Sequence, residues 1–366
     1  MHAAVAAMFL AGLFTSAIKS DEEIVFYPGY AWLEKDEAAG GQRWIALVRG
    51  CVFEPEADSI KRKLLIRGIR RSLGVEADSP EAKILDQRVH HFLVDLERRK
   101  EVSIRIGEKE HRLGVSDSFG QFEARLAVAA DEAQRLAKDD PAGGRWLPLA
   151  AVLPADDARR FVGRVQLLPA EGLSIVSDID DTIKITEVRD RTAMLRNTFL
   201  REFRAAPGMA ELYRRAAGKG AAFHYVSGGP WQLFPPLEDF RREAKFPPGT
   251  FHMKRFRLSD PKALARLSEH GDAKRSAIGD LLKAFPRRRF VLIGDSGEQD
   301  PEIYGPLARE NPKQVVAVLI RNVTDEPADG ERFRKAFDEL PPSRWRVFAQ
   351  PAEATEMLDA AFAGKP

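Results

Sequence analysis

The chain has 366 residues, 44% hydrophobic and 31% charged, with 57 Lys plus Arg against 55 Asp plus Glu. That is enough apolar material for two domains with cores of their own, and it excludes a wholly disordered chain. A single cysteine, Cys51, excludes an intramolecular disulfide and a Cys-based zinc site; the net charge of +2 gives no basic excess to point to nucleic acid; and no apolar run reaches the roughly 18 residues of a spanning helix.

The N-terminal run AAVAAMFLAGLF (3–14) is uncharged and apolar, and small residues follow it at Thr15, Ser16 and Ala17. A signal-like or helical segment is expected over 1–20. No Lys or Arg precedes the run, so a cytoplasmic or peripheral-membrane location is expected ahead of export through an atypical signal. Strand patterns begin at Ile24–Tyr27, bounded by Pro28 and Gly29, and continue at Trp44–Phe53, with Gly40 and Gly41 as the turn between them. Lys61, Arg62, Lys63, Arg67, Arg70 and Arg71 interleave with leucine and isoleucine over Ser59–Leu73, which predicts an amphipathic basic helix. A second helix is predicted over Pro80–Arg99. Alternating runs at 102–106, 121–128, 146–152 and 161–167 complete a β-rich domain, expected to be sandwich-like with a helical insert. Asp131–Gly144 reads as a polar loop with room for a short helix.

At Pro169–Gly172 the rhythm changes, which places a β-rich domain over 21–170 and a second domain over 171–366. Continuous apolar strands are predicted at 173–177, 222–226, 290–293 and 315–320, with an edge strand at 345–349. Helical patterns at 194–203, 208–217, 235–243, 273–285, 301–310 and from Ala352 separate or follow them. Apolar strands alternating with helices predict an α/β fold, a parallel sheet flanked by helices.

Four groups of chemically capable residues occupy the strand ends or a flanking helix: Asp178-Ile179-Asp180-Asp181-Thr182, Ser227-Gly228-Gly229-Pro230, Lys274, and Gly294 to Asp300. In a parallel sheet ligands bind beyond the carboxyl ends of the strands. Each group alone is ordinary: an acidic turn, a Gly-Pro turn, a solvated lysine like the neighbouring Lys283, an acidic loop. Together, and in this order, they suit phosphoryl transfer to an aspartate. One carboxylate attacks phosphorus, a second moves the proton, Mg²⁺ offsets the repulsion between anions, and a hydroxyl, backbone N–H groups and a lysine hold the phosphate oxygens.

The segment from Leu173 to Thr324 resembles the haloacid dehalogenase superfamily and, within it, the actin-patch-associated phosphatidate phosphatase catalytic-domain family. The runs that carry the likeness are SDIDDTIKITEV (177–188), FHYVSGGPWQLFPPLEDF (223–240), FPPGTFHMKRFRL (246–258) and FVLIGDSGEQDPEIY (290–304), in under half the chain. The resemblance implies Asp178 as nucleophile and Asp180 as general acid/base, with its backbone carbonyl on the metal. It implies that Thr182 steadies the phosphate loop, that Ser227 and Gly228 bind phosphate, and that Lys274 neutralises the phosphoaspartate. Asp178 and Asp295 would hold Mg²⁺, with Asp300 as a ligand or a partner to one, while the Asp181 side chain points away. It also implies a phosphoric monoester hydrolase that converts phosphatidate to diacylglycerol and phosphate in peripheral contact with a phospholipid surface.

Two other readings stay open from the residues: a phosphatase of soluble phosphomonoesters such as sugar phosphates or nucleotides, and a non-catalytic lipid- or protein-binding module. The motifs lie too close together for a large cap domain, which suits a large or membrane-embedded substrate. Trp231, Phe234, Phe246, Phe251, Met253 and Phe256, with Lys254, Arg255 and Arg257 among them, suit either a lipid headgroup interface or a core with a charged rim.

Overall fold

The computed structural model describes residues 15–36, 40–55, 60–256 and 271–363. The apolar run 3–14, the start of the basic helix at Ser59 and the charge at Arg257 lie outside the described residues. The chain forms two compact units: Met1–Arg62, His90–Asp139 and Arg145–Leu168 in one, and Lys63–Val89, Asp140–Gly144 and Pro169–Pro366 in the other.

The first unit contains β1 (Glu23–Tyr27), β2 (Gly29–Asp36), β3 (Gly41–Glu54), β4 (Asp95–Leu96), β5 (Glu101–Ile106), β6 (Lys109–Val115), β7 (Gln121–Ala129), β8 (Lys138–Asp139), β9 (Arg145–Ala151) and β10 (Val162–Leu167). The expected β-rich domain is present, its ten strands joined in one hydrogen-bonded sheet in the order β1-β3-β2-β10-β9-β5-β6, with β4 and β7 also on β3 and β8 on β9. The 14-residue strand β3 makes this possible, because it is long enough to pair with β1, β2, β4 and β7 at once. Alternation along a strand reports which face is buried, not how many sheets share the core. That core includes Phe26, Trp44, Val52, Ile104, Phe122, Leu147 and Val165.

Two expectations fail here. The β2 segment, overlooked behind Pro28, is an eight-residue strand paired antiparallel with β3 and parallel with β10. The second helix stops at His90 instead of Arg99, because Leu96 and Asp95 pair with Phe53 and Glu54, and Arg99 takes a left-handed φ of 58°. The basic helix spans Ile60–Leu73, and 130–136 is a short helix.

The second unit is a six-stranded sheet, β13-β12-β11-β14-β15-β16, parallel at every pairing. Its strands are β11 (Leu173–Ser177), β12 (Ala222–Pro230), β13 (Thr250–Lys254), β14 (Arg289–Asp295), β15 (Val315–Arg321) and β16 (Trp345–Phe348). Helices Arg191–Phe199, Met209–Gly218, Phe234–Glu243, Gly271–Ala284, Asp300–Glu310, Glu331–Ala336 and Pro351–Ala363 separate or follow the strands. Asp190 starts the first of these, its carboxylate accepting from the N–H groups of Thr192 and Ala193. All five residues of β11 are buried, as an inner strand covered on both faces requires. Burial of Ile175 and Val176 at 0% exposure contributes roughly 1.5–3 kcal/mol each.

Strand β13 was not expected from the sequence. With it, the aromatic cluster resolves as core: Trp231, Phe234, Phe246, Phe251 and Phe256 are buried, and Phe234 meets Phe251 edge-on at 5.1 Å. Of the neighbouring side chains Met253 and Lys254 are half-buried and Arg255 is exposed. Chain order runs outward from β11 in one direction through β12 and β13, and in the other through β14, β15 and β16. The point of reversal lies between β11 and β14, where a ligand crevice is expected beyond the strand ends.

Candidate active site

The first motif leaves β11 at that reversal. Asp178 is fully buried, and its N–H donates to the Ile293 carbonyl of β14 at 2.8 Å. The next residues turn back at once: Ile183 and Lys184 both donate their N–H to the Ile179 carbonyl, and Asp181 sits at a left-handed φ of 54°. Asp tolerates that conformation, and here its carboxylate accepts the N–H groups of Thr186, Glu187 and Val188 at 2.7–2.8 Å. Asp181 therefore points away from the crevice and holds the loop.

Lys274, which alone would read as a surface charge, is 2% exposed. Its Nζ lies 2.9 Å from Asp178 Oδ1 and 3.4 Å from Glu298, and it also bonds Asp300 Oδ1. Burial pushes the ammonium toward neutrality, and Asp178 and Asp300 more than offset this, so its pKa rises. The neighbouring Lys283 is exposed. The other Asp178 oxygen, Oδ2, is buried and has no hydrogen-bond partner among the described residues.

The fourth motif follows β14. Asp295 Oδ1 accepts the N–H groups of Gly297 at 2.6 Å and Glu298 at 3.2 Å, while Oδ2 lies 3.5 Å from the Thr182 hydroxyl. Asp300 is spoken for on both oxygens: Oδ1 by Lys274, and Oδ2 by the Asp295 N–H at 3.1 Å. Gly294 permits this approach, since a Cβ there would fall 2.2 Å from Asp300 Oδ2. Asp300 thus bonds Lys274 with one oxygen and the Asp295 backbone with the other.

Asp178, Asp295 and Glu298 bring one carboxylate oxygen each to within 4.8 Å of one another, the first two residues buried and the third half-buried. Burial raises the proton affinity of all three; for Asp295 the neighbouring Asp300 and Glu298 add to it, and Glu298 is pushed up to about 7. Four carboxylates surround a single ammonium. Such a group of buried anions is stable only with further positive charge or with protons. Glu298 was passed over in the sequence reading because an acid in a Gly-Ser loop carries no signal of its own; its spacing of three from Asp295 was the available clue.

Asp180 stands apart from that trio. Its Oδ1 is 2.7 Å from Lys184 Nζ and 2.8 Å from the Thr186 hydroxyl, and its Oδ2 is 3.3 Å from Ser227 Oγ. Ser227 and Gly228 are buried at the far end of β12, where the ladder with β13 is interrupted between Val226 and Pro230, and Ser227 Oγ accepts from Gly229 N–H at 2.9 Å. The interruption falls at the place where the second motif faces the first.

Residues 173–322 match the family described as Phosphatidate phosphatase APP1, catalytic domain. The chain is 28% identical over 264 residues to Phosphatidate phosphatase APP1 of Saccharomyces cerevisiae, across 68% of this chain and 42% of that protein. It is 31% identical over 173 residues to an uncharacterized protein of Schizosaccharomyces pombe, across 46% of this chain and 28% of that one. The chain spans less than half the length of these curated relatives. A solved Mesorhizobium loti structure described as HAD-like aligns over 55% of this chain and 91% of its own, with 13% identity and a TM-score of 0.35, a likeness too slight to establish a common fold. Residues 173–322 accordingly resemble the APP1 phosphatidate phosphatase catalytic domain, in the same stretch that carries the four motif runs.

Proposed function

We propose that the chain is a phosphatase of phosphomonoesters that works through a covalent phosphate on Asp178, and that phosphatidate is its substrate. The observation that carries this reading is the environment of Asp178: one oxygen held at 2.9 Å by buried Lys274, the other buried without a hydrogen-bond partner among the described residues. A nucleophile needs an oriented carboxylate with one oxygen uncommitted.

In the first half-reaction an Asp178 oxygen bonds to phosphorus and the bond from phosphorus to the ester oxygen breaks. Asp180 gives the leaving oxygen a proton. In the second, the resulting Asp180 carboxylate takes a proton from water as that water's oxygen bonds to phosphorus; the bond from phosphorus to Asp178 breaks, releasing inorganic phosphate and restoring both carboxyl groups. Ser227 and the backbone at Gly228 hold phosphate oxygens, Thr182 steadies Asp295, and Lys274 holds Asp178 in line.

The donor set fits Mg²⁺: Asp178, Asp295 and Glu298 offer hard oxygens only, and the excess of buried carboxylates over the single ammonium of Lys274 calls for a cation. Bound there, Mg²⁺ would supply positive charge against the meeting of an anionic nucleophile with an anionic phosphate. The family match and the yeast relative favour phosphatidate, and with it peripheral contact with a phospholipid surface. No helix among the described residues is long and apolar enough to cross a membrane.

The test is phosphate release from phosphatidate in mixed micelles against a panel of soluble phosphomonoesters, with Asp178→Asn and Asp180→Asn beside the parent protein. We expect turnover of phosphatidate, none in Asp178→Asn, and in Asp180→Asn a burst of p-nitrophenolate from p-nitrophenyl phosphate followed by a slow steady state. Turnover confined to soluble esters would move the substrate class, and full activity in Asp178→Asn would overturn the mechanism.

A further inference from the structure

A second buried lysine lies at the site and has no part in the chemistry above. Lys184 is 2% exposed and among the largest fully buried side chains of the chain. Its Nζ meets Asp180 Oδ1 at 2.7 Å and the Thr186 hydroxyl, and the same hydroxyl donates to Asp180 Oδ1 at 2.8 Å. Both cationic and hydroxyl donors therefore converge on one oxygen of Asp180. The other oxygen is the one that faces Ser227.

The lysine is itself fixed from three sides. Its N–H bonds the Ile179 carbonyl at 3.0 Å and its carbonyl accepts the Asp181 N–H at 2.7 Å. Flanking bonds from Ile185 to Arg204 and from Ala206 to Ile183 tie the turn to the segment that follows the first helix of this unit. Its ammonium lies 4.8 Å from the centre of the Phe203 ring, and the Arg88 guanidinium, from the helix Pro80–His90, lies 3.5 Å from the same centre. Arg88 is anchored in turn on the Thr198 carbonyl at 2.7 Å. Aromatic faces attract cations, so Phe203 contributes to seating the lysine without competing for its hydrogen bonds.

We propose that Lys184 is a positioning residue for the proton-transfer step: with Thr186 it pins Oδ1 of Asp180, so that Oδ2 alone is presented to the leaving group and then to water. The inference rests on the reading of Asp180 as the acid/base. A carboxylate free to rotate about its Cβ–Cγ bond would present either oxygen at either angle. A donor pair on one oxygen removes that freedom, and misplacement of a catalytic group by about 1 Å costs on the order of 10²-fold.

The experiment uses the full chain and two variants, Lys184→Met, which keeps the length and apolar stem, and Thr186→Val, which removes only the hydroxyl. Single-turnover reaction with p-nitrophenyl phosphate separates p-nitrophenolate release, which forms the phosphoenzyme, from its hydrolysis, followed as acid-stable labelled protein. Release needs little help from Asp180 with this leaving group, whereas hydrolysis needs it fully. We expect Lys184→Met to slow hydrolysis roughly 10–100-fold while release stays within about threefold, and Thr186→Val to do the same in lesser degree. In the Asp180→Asn background Lys184→Met should add little, because its effect runs through Asp180. Equal losses in both steps, or an equal further loss in the Asp180→Asn background, would mean that Lys184 merely holds the loop and would overturn the proposal. If Lys184→Met does not fold, Thr186→Val decides alone: an unchanged hydrolysis rate overturns the proposal. Absence of a burst in Asp180→Asn while the parent turns over would instead count against the reading of Asp180, separately from the lysine.

Discussion

Each unit of this protein buries a lysine among carboxylates, and the two clusters differ in their charge. In the β-rich unit Lys100 is 3% exposed and pairs with Glu22, which is 0% exposed. Glu97 stands 3.4 Å away, and Lys19 contacts Glu22 at 3.8 Å. Two ammonium groups thus face two carboxylates. In the α/β unit Lys274 faces Asp178, Asp300 and Glu298, with Asp295 beside them. The first cluster is balanced in charge. The second carries an excess of buried anions, a cost that a merely structural cluster would have no reason to bear and a site for a cation and a phosphate would. Both clusters pair a buried lysine with carboxylates, and the sum of charge separates them.

The sharpest way to break this comparison is Asp178→Asn. Turnover should fall by several orders of magnitude, since an amide cannot form an acyl phosphate, while the melting temperature holds or rises because one surplus buried anion is gone. Activity assays and calorimetry on one preparation check both; loss of stability would show that the excess charge is not a strain. Next in size is metal removal. Chelation should abolish turnover and Mg²⁺ restore it, whereas Ca²⁺, which accepts more oxygens at longer distance, should inhibit. Full activity in chelator would sink the charge argument.

Lys100→Met tests the balanced cluster. It leaves Glu22 buried with a distant partner, so stability should drop by about 3–5 kcal/mol with no change in kcat per folded molecule. Denaturant unfolding and initial rates measure the two. The smallest effect concerns pH. Glu298 is raised to about 7 by burial, and Asp178 and Asp295 are shifted the same way. A carboxyl with a raised folded pKa binds its proton more tightly in the native state. Its contribution to stability is present below its unfolded value and is lost as pH climbs through about 7. Metal-free protein should thus melt at progressively lower temperature across that range, and Mg²⁺ should flatten the profile. A flat profile without metal would mean that the anions are already compensated.

Much of this was legible in the sequence because it is local. The buried run of β11 and the Asp178–Thr182 run at its strand end need only periodicity and the geometry of a parallel sheet. What stayed hidden depends on partners far along the chain. Strand β2 is a strand because β3 and β10 flank it; the helix begun at Pro80 ends at His90 because Leu96 is claimed by Phe53; and the ten strands share one sheet because β3 is long enough to serve four neighbours. At the site the sequence named Asp178, Asp180, Lys274, Asp295 and Asp300, but not which of their side chains meet. Glu298 joins the carboxylate trio, Asp300 is spent on Lys274 and the Asp295 N–H, and Lys184 takes one oxygen of Asp180. Residue type fixes how many charges a chain can bring to a crevice; which of them meet, and which are left without a partner, is decided by distances that only the folded chain sets, because interactions between buried charges strengthen steeply as water is excluded.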